Sequence, residues 1–120
     1  MAELIVALDV SSKTEVEQTV DRLGDAVSFY KIGLELFSAV GPDVVRAVKN
    51  RGKRVFLDLK LHDIPRTVER AVSVGASLGA DLMTIHAAGG KAMIQAAKNA
   101  ALAAGAGAPK ILAVTILTSL

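Results

Sequence analysis

The chain has 120 residues, 52% of them apolar, and a formal charge of +2, so it can build a core but offers no basic surface for nucleic acid. It has no tryptophan to stack bases and no cysteine for a disulfide framework, a thiolate nucleophile or a thiolate metal site. Met1-Ala2-Glu3 lacks the basic lead of a signal peptide and the longest late apolar run, Ile111 to Leu117, is far short of a membrane span, so a cytoplasmic, single-domain protein over residues 1–120 is the expectation.

Leu4 to Leu8 reads as a short strand ending at Asp9. Ser12-Lys13-Thr14-Glu15 matches a capping box, Ser12 and Glu15 serving each other's free backbone N–H groups. It opens a helix with Val16, Val20 and Leu23 on one face and Gly24 at its end. Val27 to Ile32 is a second strand, with Lys31 near its end and Gly33 after it. Gly41-Pro42-Asp43 opens a second helix, striped by Val44, Val45 and Val48 and closed by Gly52. The third strand runs from Val55 to Leu61. Pro65 starts a third helix, with Val68, Ala71 and Val72 inward, running to Gly75 or Gly79. Leu82 to Ile85 is a fourth strand ending at His86, and Lys91 to Ala104 a fourth, alanine-rich helix. Lys110 to Leu117 is a fifth strand ending at Thr118-Ser119.

The third strand carries the unusual chemistry. Side chains alternate in a strand, which places Phe56, Asp58 and Lys60 on one face and Leu57, Leu59 and Leu61 on the other, packed against helices. Asp63 follows just past the strand end. Burying charges is costly even when they are paired, so three charges in six residues suit a site better than a core. The plainer alternative is a structural ion pair at a strand end.

Strand and helix alternate about every 25–30 residues, the pattern of a parallel sheet with helical crossovers. Every strand ends in a polar group: Asp9, Lys31, Asp58 with Lys60, His86, and Thr118. Ligands bind at the carboxyl ends of strands in such folds. Two architectures fit. One is a (β/α)8 TIM barrel, which needs roughly 250 residues in full and of which this chain would supply about the first half. The other is an open doubly wound sheet, complete at this length, although no G-x-G-x-x-G follows the first strand.

Asp58-x-Lys60-x-x-Asp63 followed by Ile64-Pro65-x-Thr67 resembles the signature of the orotidine 5'-phosphate decarboxylase family. In order along the chain, Leu8-Asp9 resembles that family's first-strand aspartate and Tyr30-Lys31-Ile32-Gly33 its second-strand lysine. His86-Ala87-Ala88-Gly89-Gly90 and Leu117-Thr118-Ser119 resemble its fourth and fifth strand ends. The resemblance covers the whole chain and strands 1 to 5 of the family's barrel.

The resemblance implies a carboxy-lyase of pyrimidine biosynthesis that converts orotidine 5'-phosphate to uridine 5'-phosphate as a cytoplasmic homodimer, with no cofactor, no metal, no nucleic acid and no membrane. It implies Lys60 as proton donor and Asp58 beside the departing carboxylate. Asp63, supplied by the other subunit, and Lys31 would complete an alternating Lys-Asp-Lys-Asp array. Asp9 and Lys31 would meet the ribose hydroxyls, Ile64 and Thr67 would reach in from the partner, and Thr118 or Ser119 would face the pyrimidine. His62 reads as a histidine hydrogen-bonded under the loop rather than a substrate contact, and His86 as a strand-end structural group. Gly89-Gly90 before a helix is as much turn chemistry as a phosphate cradle.

Two other readings stand beside this one. A sister group shares the D-x-K-x-x-D core but uses a metal on sugar phosphates, and its motif differs after the lysine. The third reading is a non-catalytic half-barrel whose open sheet edges are covered by self-association.

Overall fold

The computed structural model describes residues 3–116. Five strands form one sheet in the order β1-β2-β3-β4-β5: Ile5–Ala7, Phe29–Gly33, Arg54–Leu61, Leu82–His86 and Lys110–Val114. All four neighbouring pairs are parallel. A doubly wound sheet reverses its strand order at a switch point, whereas an unbroken sequential order is the progression of a (β/α) barrel. The order therefore decides between the two architectures that length left open: the chain is α/β, with the strand order of half a (β/α)8 barrel.

The helices are α1 (Lys13–Leu23), α2 (Leu34–Val40), α3 (Asp43–Lys49), α4 (Pro65–Ser77) and α5 (Lys91–Ala103). Strand register separates two faces. Val6, Tyr30, Val55, Leu57, Met83, Ile85 and Ile111 share the face that packs on the helices, where Val16, Val20, Val44, Val48, Val68, Val72, Met93 and Ala97 complete the core. Phe29, Lys31, Phe56, Asp58 and Thr84 share the opposite face with Ile5 and Leu112, which are 39% and 50% exposed.

Several local expectations change. The stretch between Gly33 and Gly41, left unassigned above, is the helix α2, which buries Leu36. Gly75 does not end α4 but lies inside it, over Met83, where an added Cβ would sit 2.5 Å from that side chain. The turn after α4 is made by Gly79, whose φ of +88° only glycine adopts without strain. At the start of α1, Ser12 caps the Glu15 N–H at 3.2 Å, but its hydroxyl also donates to the Glu15 carboxylate at 3.2 Å, so Glu15 does not return to the Ser12 backbone as a full capping box would. The first two strands are shorter or shifted by one or two residues at their ends, the fifth ends at Val114 with Thr115 and Ile116 outside it, and Leu117, Thr118 and Ser119 lie outside the described residues.

Candidate active site

The carboxyl ends of β1, β2, β3 and β4 open into a cavity of about 680 Å3. Asp9, Lys31, Asp58, Lys60 and His86 all line it, as their places at strand ends require. The Leu8 N–H donates to the Lys31 carbonyl at 3.0 Å, so pairing between β1 and β2 continues up to the residue before Asp9.

Asp58 is the anchor. It is 7% exposed, and its Oδ2 accepts from Lys60 Nζ at 2.9 Å with Lys31 Nζ at 3.7 Å on the same oxygen. Its Oδ1 accepts from the Thr84 hydroxyl at 2.6 Å. Burial alone would push its pKa up, but the Thr84 hydrogen bond and the two ammonium groups outweigh that and hold it below the ordinary aspartate range. The carboxylate is therefore ionised, and one anion is shared by two cations. Lys60 and Lys31 keep 40% and 35% of their side-chain surface, so both ammonium groups remain accessible from the cavity.

The alternation expected for β3 fails at this point. Register with β4 steps from Leu57↔Met83 to Leu61↔Ile85, which leaves Asp58, Leu59 and Lys60 opposite Thr84 alone. The strand bulges, and Lys60 takes a φ of +49°, the sole positive value outside glycine among the described residues. Such a conformation costs on the order of 1–3 kcal/mol and persists only where surroundings hold it, here the Lys60 N–H on Thr84 Oγ1 at 3.0 Å and the ammonium on Asp58. Leu59, partly buried against the core, also lines the cavity. The simple two-face reading of β3 is thus corrected at Leu59, which reaches the cavity as well, while Leu61 keeps to the core and Lys60 still meets Asp58.

Asp63, Ile64 and Thr67 do not join this cavity in their own chain. All three are exposed, Ile64 by 64%. Asp63 Oδ1 accepts from the Ile64 N–H at 2.7 Å, just before α4 begins at Pro65. His62 is exposed and, among the described residues, its ring does not make the hydrogen bond expected under the loop; it lies against His86, ring centroids 5.3 Å apart and tilted by 40°. Thr118 and Ser119 are outside the described residues. Among the described residues no three His, Asp or Glu side chains converge where they could share a metal ion, and no helix is long and apolar enough to cross a membrane.

A buried partner of Asp58 and two residues of the cavity lining escaped the sequence reading. Thr84, 1% exposed, was passed over inside an apolar strand, although a lone hydroxyl in Leu82-Met83-Thr84-Ile85 needs a buried partner and signals one. Leu34 and Glu35 line the cavity because α2 starts directly after β2, and nothing in their spacing marks that helix.

Comparison with known proteins gives a consistent picture. The model of the orotidine 5'-phosphate decarboxylase / HUMPS family matches residues 2–120. Orotidine 5'-phosphate decarboxylases of Moorella thermoacetica and Carboxydothermus hydrogenoformans are 53% and 52% identical over 98% of this chain. The chain spans about half the length of these relatives, 48% and 50%. The crystal structure of orotidine 5'-phosphate decarboxylase from Lactobacillus acidophilus superposes with a TM-score of 0.90 at 43% identity, covering 99% of this chain and 55% of that one. The enzyme of Methanocaldococcus jannaschii complexed with the inhibitor BMP gives a TM-score of 0.83 at 27% identity, over 92% of this chain and 50% of that one.

Proposed function

The chain belongs to the orotidine 5'-phosphate decarboxylase / HUMPS family, and from that premise we propose that it forms the catalytic strand ends of a cytoplasmic enzyme that decarboxylates orotidine 5'-phosphate to uridine 5'-phosphate. The observation that carries the reading is the Lys31–Asp58–Lys60 cluster on the cavity floor, one buried carboxylate held between two accessible ammonium groups.

In this reaction the bond between C6 of the pyrimidine and its carboxylate breaks. Carbon dioxide leaves, and the electron pair stays on C6 with little delocalisation. A fixed cation beside C6 stabilises that charge without having to reorganise. Lys60 supplies it and then delivers a proton from Nζ to C6, regaining one from solvent. The neighbouring Asp58 carboxylate keeps Lys60 protonated, as a donor must be. Asp58 stands next to the departing carboxylate, Asp9 and Lys31 take the ribose hydroxyls, and Thr118 or Ser119 meets the pyrimidine. Asp63, with Ile64 and Thr67, enters from the second subunit of a homodimer and completes the alternation of charges. Their exposure outside the cavity of their own chain supports that assignment, since side chains reserved for a neighbour's site stay free of their own.

The test is turnover of orotidine 5'-phosphate by the full-length protein. Lys60→Ala is expected to lower kcat by at least about 10^3-fold while the fold persists, and turnover within about tenfold of the parent would refute the role. The family also includes the HUMPS group, so metal dependence separates the second reading from the first. Activity on orotidine 5'-phosphate is expected to survive exhaustive chelation. Loss on chelation and recovery with a divalent cation would move the assignment to a metal-dependent sugar-phosphate enzyme.

A further inference from the structure

Thr84 is the polar residue in the apolar run of β4, and the mechanism above makes no use of it. Its place is defined by the bulge. From residue 57 to 61 on β3 the facing strand advances only from 83 to 85, so Thr84 alone faces three residues. The Arg54 N–H goes to Ser28 on the β2 side, and regular alternation would turn the Lys60 N–H the same way, but past the bulge it goes to Thr84 Oγ1 on β4 at 3.0 Å. The same hydroxyl donates to Asp58 Oδ1 at 2.6 Å. Both directions are forced, because an ionised carboxylate only accepts and a backbone N–H only donates. At 1% exposure no bulk water replaces either bond.

Resting on the decarboxylase reading of this cavity, we infer that Thr84 is a positioning residue for the reaction. One hydroxyl ties the Asp58 carboxylate to the Lys60 backbone, and so fixes the strained turn from which the Lys60 ammonium reaches Asp58 at 2.9 Å. The lowered pKa of Asp58 agrees with the geometry, since the Thr84 bond is foremost among the influences that favour its charged form. Asp58 also shares its cavity with Asp9, Glu15, Lys31, Glu35, Lys60 and His86, so any pH comparison has to hold those groups constant.

Two substitutions separate positioning from packing. Thr84→Val keeps the shape and removes the hydroxyl, and Thr84→Ser keeps the hydroxyl and removes the methyl. In the full-length protein Thr84→Val is expected to lower kcat about 10- to 100-fold with KM within about threefold, while Thr84→Ser stays within about threefold of the parent. The Asp58 carboxyl, followed by carbon-13 NMR across pH, is expected to titrate higher in Thr84→Val than in the parent and at the parental position in Thr84→Ser. A residue that only stabilised the fold would lower melting temperatures without moving that titration. If Thr84→Val does not fold, Thr84→Ala carries the same comparison. Parental kcat in Thr84→Val, an unmoved Asp58 titration, or a Thr84→Ser protein as impaired as Thr84→Val would each overturn the inference. Absence of turnover in the parent would instead refute the decarboxylase reading, and the titration would still decide whether Thr84 governs Asp58.

Discussion

Asp58 carries three partners on two oxygens, and its protonation state sets the chemistry of everything around it. Because its pKa is lower in the folded state than in the unfolded chain, its ionised form contributes stability above the ordinary aspartate range, and that contribution is lost as pH falls through the folded-state value. Asp58→Asn removes the charge while keeping an acceptor for Thr84. The melting temperature of the parent is therefore expected to exceed that of Asp58→Asn at neutral pH, with the gap closing in acid. A gap that is constant from neutral pH to acid would contradict the charged cluster. At this scale the sequence was partly legible. Asp58 and Lys60 stood out because charges interrupt an apolar strand, but the alternation that grouped them assumed a regular strand. The bulge that turns Lys60 and brings Leu59 into the cavity depends on β4, and so could not be read from β3 alone.

Elements are pinned at the opposite end of the sheet by Asp81. Its Oδ2 accepts from the Val55 N–H at 2.8 Å and from Lys49 Nζ at 2.9 Å. Its backbone N–H donates to the Val55 carbonyl at 2.8 Å, and its carbonyl accepts from Lys110 at 3.0 Å. One residue thus joins the starts of β3, β4 and β5 to the last turn of α3. Asp81→Ala would leave a part-buried N–H unpaired, and a loss of about 1–3 kcal/mol is expected in denaturant titration. The kcat of the full-length protein should stay near parental, because this end is remote from the cavity. A large fall in kcat without loss of stability would contradict the separation. Strands, α1, α3, α4 and α5 were legible because each shows its period and a stop signal. The seven-residue α2 was not: it starts directly after β2 with no side-chain cap at Gly33, whereas α3, equally short, is announced by Gly41-Pro42-Asp43.

Across the whole molecule, sequential strand order brings residues from four strand ends, 9 to 86 in the chain, into one cavity. The alternation of strand and helix announced a parallel sheet, but not its strand order, because order is set by how crossovers pack and not by any local pattern. Asp63, Ile64 and Thr67 remain outside that cavity, on the exposed segment leading into α4. A two-fold assembly is self-complementary, so two copies would complete each other's sites with these residues. Asp63→Ala and Lys60→Ala would then place their lesions in the same site of a mixed dimer and leave the other site whole. The decisive measurement is the activity of these two full-length proteins, each inactive alone, after mixing and subunit exchange verified by mass. Random pairing is expected to restore about a quarter of parental activity, since half the dimers are mixed and each has one intact site. A mixture as inactive as its parents, with exchange complete, would contradict a site shared between Lys60 of one subunit and Asp63 of the other.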